Sequence, residues 1–419
     1  MGDRLHIFTS AAVNYLPKVR MLCRSIREHH PEATIHLALA DERPEWLKPE
    51  GEPFDAILEL ADLGIPHWRP WSFMHNIVEL STAIKPFALR RLLERPDCGK
   101  VLYFDPDMVL FSRVDDILAT LEASNLALTP HQNKPEKTLE AVLDNEVTSL
   151  RMGVFNLGFL GVKGGGEGRR FADWWADRTY AFCRAEVHNG LFTDQKWINF
   201  APIFFDGVAI LKSSRHNVAT WNLTTRVLSG SLAAGLRVDG EPLSFYHFTG
   251  FDSGAHRVMA VKNAAGNAAV QELIAWYERE TASRDDPVNQ WPWAYGRFSD
   301  GTPVRPHHRW LYRENRDLQL AFPDPYYAGP DRLSLPDWCR TEGRLRFPQF
   351  FAKDGGSAKL APWPGQQSVA PLAAVKLGLL MFAPRRGRSL RERLVRLLRR
   401  EGLAGIVRRI RRPVRRRPA

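Results

Sequence analysis

The chain has 419 residues with 44% hydrophobic and 25% charged content, enough for a substantial core at an ordinary surface charge, and no apolar run is long enough to span a bilayer. Its formal net charge of +11 looks like a nucleic-acid signal. However, fifteen arginines against two glutamates put a net of +13 on residues 384–419, which leaves −2 on residues 1–383. With a near-neutral globular part that shows no basic recognition helix or RNA-binding motif, nucleic acid ranks low as a partner. Cys23, Cys98, Cys183 and Cys339 are far apart and form no Cys-x-x-Cys pair, which argues against zinc and fits a reducing cytosol. The opening Met1-Gly-Asp-Arg-Leu-His-Ile-Phe-Thr runs straight into a strand pattern, so the expectation is a cytoplasmic protein without a secretory leader.

In chain order, short apolar runs alternate with helical patterns, the signature of βαβ units. Strands are expected at 5–10, 35–40, 56–60, 100–104, 126–129, 155–162 and 204–211, and helices at 16–29, 81–93, 114–123 and 168–182. The predicted fold class is α/β, a mixed, mostly parallel sheet flanked by helices. A further helical pattern at 264–280 carries Val270, Leu273, Ile274 and Trp276. The aromatic stretch 289–314, with Trp291, Trp293, Tyr295, Phe298, Trp310 and Tyr312, reads first as a loop-rich cap on the core and second as a platform for sugar rings. The expected organisation is a catalytic domain over 1–262, a helical and aromatic extension over 263–350, a linker over 351–383 and an Arg-rich tail over 384–419. In the tail, Leu390, Leu394, Leu397 and Leu398 share one helical stripe among arginines, a basic amphipathic pattern suited to an anionic membrane surface. A solvated like-charge tail and a nucleic-acid arm are the weaker readings.

The most telling run is Val101-Leu-Tyr-Phe-Asp105-Pro-Asp107-Met-Val-Leu110. Residues i and i+2 of an extended chain face the same way. Asp105 and Asp107 therefore converge at the end of a buried strand, where open α/β sheets bind ligands. Oxygen ligands suit Mg²⁺ or Mn²⁺, which commonly also hold substrate phosphates. Asp-Pro-Asp equally suits an ordinary turn. Four other features accompany it. Lys85 stands at a helix start and is a candidate diphosphate contact. Asn156 interrupts the apolar run Phe155-Asn156-Leu-Gly158, and a buried amide needs a partner. Asp194-Gln195-Lys-Trp-Ile-Asn199 opens a short helix, where Asp194 also suits a plain N-cap. His247 follows a strand-like segment at 243–245 in Tyr246-His247-Phe-Thr-Gly250-Phe-Asp252, and imidazole is a common ligand for divalent metals.

Taken in order, Asp105-x-Asp107, Phe155-Asn156-x-Gly158, Asp194-Gln195-x-x-x-Asn199 and His247-x-x-Gly250 resemble the motif set of GT-A glycosyltransferases of family 8, the glycogenin and lipopolysaccharide galactosyltransferase type. The resemblance covers roughly residues 4–255. It implies a Rossmann-like GT-A fold and a metal-dependent, retaining transfer from a nucleotide-sugar donor, with a UDP-sugar favoured, to a glycan or lipid-linked acceptor. Bacterial cell-surface polysaccharide synthesis on the inner face of the cytoplasmic membrane is the implied setting. Asp105, Asp107 and His247 would ligate Mn²⁺ or Mg²⁺, with Asp105 also near the ribose. Asn156, Asp194 and Gln195 would surround the transferred sugar. The opening Ile7-Phe-Thr9-Ser10-x-x-x-Asn14-Tyr15 resembles the nucleotide-binding start, although Ser10 or Ala11 stands where the family often has an acid. Gly250 and Asp252 would lie at the donor. Asp252 itself departs from the family, which usually places a lysine there; either Lys85 or an arginine replaces that charge, or Asp252 has another role. The alternatives are a non-catalytic nucleotide-sugar or glycan-binding module and a sugar nucleotidyltransferase. The latter usually carries a Gly-rich basic loop after the first strand, and Thr9-Ser-Ala-Ala-Val-Asn-Tyr is not one.

Overall fold

The computed structural model describes residues 3–281 and 287–351. The chain divides into two units, Met1–Arg346 and Phe347–Ala419. Of the second only 347–351 are described, including a short turn of 3₁₀ helix at Pro348–Phe350. The predicted interfacial helix and all but the first residue of the predicted linker therefore lie outside the described residues.

Among its described residues the first unit has twelve strands: β1 (Arg4–Ala11), β2 (Thr34–Leu39), β3 (Ala56–Glu59), β4 (Cys98–Phe104), β5 (Met108–Leu110), β6 (Leu126–Pro130), β7 (Phe155–Lys163), β8 (Val208–Ile210), β9 (Leu228–Ser231), β10 (Gly235–Val238), β11 (Glu241–Pro242) and β12 (Phe245–His247). Seven of them form one sheet in the order β3-β2-β1-β4-β7-β6-β8. Its β1–β2, β1–β4, β2–β3 and β6–β8 pairs are parallel, and β7 runs against both its neighbours. This is the mixed, mostly parallel α/β sheet expected from the sequence. Its strands are mostly apolar and buried, with His6, Ser10, His36 and Asn156 among the polar exceptions. Ile7, Ile35, Leu37, Leu102, Phe104 and Phe159 are all fully buried.

The helix expected at 16–29 is Leu16–His29. The one expected at 81–93 is two, Ile77–Ala83 and Lys85–Leu93, broken at Ile84 because Pro86 has no N–H to continue the first. The strand expected at 204–211 is largely absent. Ala201–Phe204 is helical, and Gly207, at φ +66°, turns the chain so that only Val208–Ile210 reaches the sheet edge. The strand signal at 243–245 lies two residues early: β12 is Phe245–His247, paired antiparallel with β5 so that His247 stands opposite Met108.

Two packing elements fix the edge of the sheet where β1 and β4 end. Phe248, next to His247, stacks on Tyr277 of the helix Ala268–Thr281 at 3.7 Å between ring centres. The aromatic stretch packs on the core, as its first reading expects. Tyr295, Phe298 and Tyr312 are buried, Trp293 Nε1 donates to Ala40 O at 2.8 Å, and Arg309 donates to Phe73 O at 2.9 Å and Tyr295 O at 2.7 Å. Among the described residues no helix is long and apolar enough to cross a membrane.

Candidate metal and ligand site

β4 ends at Phe104, and the next residues carry the two aspartates past the carboxyl edge of the sheet. Asp105 N donates to Gly158 O at 2.8 Å, which locks the start of the turn to β7. Phe248 N donates to Asp107 O at 2.8 Å, which ties its end to the segment after β12. The register of β5 with β12 then sets His247 against both acids. Its Nε2 lies 3.1 Å from Asp107 Oδ1 and 3.8 Å from Asp105 Oδ2. One ligand atom from each of Asp105, Asp107 and His247 falls within 4.8 Å of the others. Two carboxylates and one imidazole, converging at the end of a strand, are a fitting donor set for Mn²⁺ or Mg²⁺.

Gly158 has a steric reason to be glycine. A Cβ there would meet Met108 Cε at 2.4 Å and His247 Cε1 at 2.6 Å. The imidazole occupies the space that any larger side chain would need.

Lys85 is the charged centre of the site. It is buried, and its Nζ lies 3.0 Å from Asp105 Oδ1, 3.3 Å from Asp194 Oδ2 and 3.4 Å from Leu157 O, with the Tyr103 ring centre at 4.4 Å. Burial opposes its charge, but Asp105 and Asp194 outweigh that and hold its pKa well above the ordinary lysine value. The Tyr103 hydroxyl also donates to Asp105 Oδ1. With Oδ1 taken twice, the free oxygen of Asp105 is the Oδ2 that faces His247.

Asp194 stands where a helix N-cap is expected, yet its side chain makes no capping bond. Its Oδ1 accepts from Thr193 Oγ1 at 3.1 Å instead. Burial raises its pKa above the usual carboxylate value even with Lys85 beside it. Thr193, a β-branched residue, is held at φ +44°, a strained backbone of the kind found at functional sites.

Asn156 and Gln195 are buried and largely taken up by protein partners. Asn156 Oδ1 accepts from Gly158 N at 3.1 Å and Asn217 Nδ2 at 2.9 Å, while its Nδ2 lies 3.2 Å from His131 Nε2 and 3.4 Å from Gln195 Oε1. Gln195 Oε1 accepts from Leu157 N at 3.0 Å, and its Nε2 donates to Met152 O at 3.1 Å. Both brace the start of β7 and also border the cavity beside it.

Two cavities meet at Lys85 and Asp105. One, of about 380 Å³, is bordered by Asn156, Asp194, Gln195, His247 and the inner side of residues 144–152. That inner side includes a turn of π-helix at Val142–Glu146, a feature frequent at functional sites. The other, of about 350 Å³, runs along the end of β1 and is bordered by Ser10, Asn14, Tyr15, Asp107 and Asp252. Thr9 is buried and Gly250, at φ +71°, turns the chain after His247; neither borders either cavity. Ser10 Oγ donates to Ser81 O at 2.7 Å and lies 3.2 Å from the Tyr103 hydroxyl.

The sequence reading did not pick out Lys18, His131, Trp221 or Tyr103. Tyr103 lies on β4 two residues before Asp105, which follows the strand, and that spacing was a usable signal. His131 and Trp221 border the larger cavity and have no local signature. Lys18 bonds Asp252, which is 234 residues away.

No family model matches the chain. It is 25% identical over 251 residues to the uncharacterized protein YfnD of Bacillus subtilis (strain 168), over 59% of this chain and 78% of that protein. It is 24% identical over 181 residues to YfnF of the same organism, also uncharacterized, over 41% of this chain and 57% of that protein. Similar solved structures include the galactosyltransferase LgtC in complex with donor and acceptor sugar analogs, at 17% identity and TM-score 0.38 over 66% of this chain and 99% of that one. They also include the glycosyltransferase GlyE of Streptococcus pneumoniae TIGR4, at 18% and 0.33 over 52% and 48% of the two chains, and mouse xyloside xylosyltransferase 1, at 12% and 0.34 over 59% and 98%. Likeness at this level says nothing about activity, which rests on the site itself.

The His247–Asp107 pair gives a pH test. Burial disfavours both charges, but each partner offsets it: His247 is raised above its ordinary 6.5 and Asp107 lowered below its ordinary 3.8. The His247 contribution to metal-free stability is fully present below pH 6.5 and is lost as pH rises through the raised pKa. A metal needs the neutral imidazole. Melting temperature without metal should therefore fall as pH rises through that range, while Mn²⁺ affinity measured by calorimetry rises. His247→Asn should flatten both trends.

Proposed function

We propose that the chain is a metal-dependent glycosyltransferase of the GT-A type, moving a sugar from a nucleotide-diphosphate sugar to a glycan or lipid-linked acceptor. The observation that supports this best is the convergence of Asp105, Asp107 and His247 at the carboxyl edge of the sheet, with a cavity on either side. Asp105, Asp107 and His247 would hold Mn²⁺ or Mg²⁺. Such an ion supplies stabilisation of the charge that develops on a departing nucleoside diphosphate.

The cavity at the end of β1 suits the nucleotide, because Asn14 and Tyr15 border it on the Asp107 side. The cavity on the Asp194 side suits the transferred sugar and the acceptor, because its polar border comes from many separate segments, among them Lys85, Asp105, His131, Asn145, Asn156, Asp194 and His247. Asp194 is the carboxylate available to act close to a sugar's anomeric carbon, as retention of configuration often requires. Lys85 holds Asp194 in place, and Gln195 and Asn156 shape the wall beside it. Residues 1–262 would carry the catalysis and 263–350 the cap. The Arg-rich tail would keep the enzyme on the inner face of an anionic cytoplasmic membrane, where lipid-linked acceptors of cell-surface polysaccharides are found; each arginine near such a surface adds on the order of 1 kcal/mol.

A panel of nucleotide sugars with Mn²⁺ or Mg²⁺, read out as nucleoside diphosphate release, tests the reaction. One donor should turn over, and Asp107→Ala should cut the rate by at least about a hundredfold, since the ion supplies several kcal/mol. Binding of a nucleotide sugar with no turnover would favour the binding-module alternative.

In the same assay Asp194→Asn should lose most turnover while the donor's KM changes little. Near-normal turnover would remove Asp194 from the chemistry.

Deleting residues 384–419 should release the protein from anionic liposomes in a flotation assay. Flotation unchanged by the deletion would refute the tail's role.

A further inference from the structure

We infer that Lys18 forms an anion subsite at the rim of the metal triad, and that it exchanges an internal counter-ion, Asp252, for a phosphoryl group of the bound nucleotide. This rests on the transferase reading and adds to it a residue and a partner exchange.

Lys18 lies in the first turn of the helix Leu16–His29 and is 8% exposed. Its Nζ is 2.6 and 2.5 Å from the two carboxylate oxygens of Asp252 and 2.9 Å from the Tyr15 hydroxyl, which itself donates to Asp252 Oδ2 at 2.8 Å. The two ends of this ion pair are held very differently. The Lys18 side chain is 9% exposed and the Asp252 side chain 61%. The lysine is clamped, with Nζ 4.1 Å from the centre of the Tyr15 ring. The aspartate sits on a loop between Gly250 and Gly254, both at positive φ.

The surroundings also call for an anion. The first turn of the Leu16–His29 helix has no acidic residue, and its N-cap position, Tyr15, makes no side-chain capping bond. The positive end of the helix and the ammonium therefore add, and the carboxylate in contact with the ammonium comes from a loop far away in sequence. Asp252 shares the cavity of about 350 Å³ with Asp105 and Asp107, and also borders a larger one of about 990 Å³ with Asn14, Tyr15 and Lys18. The pair thus stands beside the triad, and the Lys18 charge helps to depress the Asp107 carboxyl.

Among the described residues Lys85 is the one lysine or arginine bordering the two cavities that meet at the triad, and it is committed to Asp105 and Asp194. Lys18 is different, because its partner is a largely exposed loop carboxylate, and ion pairs open to solvent contribute little. A phosphoryl oxygen that displaced the Asp252 carboxylate would leave the lysine charge neutralised and release the carboxylate to water. The exchange breaks no covalent bond and needs no proton transfer.

The test uses the full chain with Mg²⁺ and measures binding of inorganic pyrophosphate and of UDP by calorimetry, with uridine as a phosphate-free control. Lys18→Met should weaken both phosphate ligands by about 10- to 100-fold, the range of a charge-assisted hydrogen bond, and leave uridine unchanged. Lys18→Arg should retain binding. Asp252→Asn should not weaken pyrophosphate, since it removes the competitor. The loss in Lys18→Met should persist in the Lys18→Met, Asp252→Asn double variant, which separates lost attraction from unmasked repulsion. Thermal melts confirm that each variant is folded.

Lys18→Met binding within about twofold of wild type, Asp252→Asn losing as much as Lys18→Met, or recovery of binding in the double variant would each overturn the subsite and leave the transferase reading standing. A wild-type chain that binds neither pyrophosphate nor UDP would overturn both.

Discussion

The site depends on one buried ammonium. Lys85 joins four separate pieces of chain: its own helix, the end of β4 through Asp105, the backbone of β7 through Leu157 O, and the turn at 193–200 through Asp194. Without it, Asp105 and Asp194 would face one another in a poorly solvated space, where like charges repel strongly. Without both of them, a buried lysine would be costly to keep charged. Each component is therefore tolerable only in the presence of the others, and the result is a rigid arrangement. Rigidity there has a chemical consequence, because Lys85 and Tyr103 take one oxygen of Asp105 and leave the other toward His247.

The same reasoning separates the two cavities by charge. Around Asp194 the positive charge is already balanced inside the protein, so that chamber offers hydroxyl- and amide-bonding groups more than net charge. Around Asp107 and Asp252 the balance involves an exposed loop and can change. A neutral polyhydroxyl group and a phosphorylated one would sort themselves accordingly, one on each side of Asp105.

Much of the sheet was legible in the sequence, because buried strands are continuous apolar runs and their alternation with amphipathic helices is hard to mistake. The triad was legible for a different reason: Asp105 and Asp107 follow a buried apolar run and His247 follows an apolar segment, although Asp105-Pro-Asp107 is a turn, closed by Met108 N donating to Asp105 O at 3.0 Å, and not the extended chain expected. Failures came where the deciding information is not local. The three-residue strands β5 and β12 are too short to show a period. The chain reverses before β8 because of one glycine at positive φ. The bond between Lys18 and Asp252 links positions 234 residues apart. Asn156 was noticed for the right reason, a polar amide in an apolar strand, and the structure identifies its immediate partners as protein groups: Gly158 N, Asn217, His131 and Gln195.

Those partners explain why a strand would keep such a residue. The imidazole of His247 faces the acids only while β12 holds its register with β5, a pairing of three residues on each side. So short a ladder is weak by itself, and a slip of one residue would turn His247 to the opposite face. The register is fixed from outside the ladder. Asn156 bonds Gly158 N, which holds the glycine against the imidazole, where a Cβ would strike His247 Cε1 and Met108 Cε. Val218 O accepts from His247 N at 2.8 Å, and the stack of Phe248 on Tyr277 pins the next residue. The amide at 156 and the glycine at 158 thus act on the metal ligand without touching a metal. A polar residue and a glycine spaced by two in an apolar strand can therefore mark a site through the room and the register they provide.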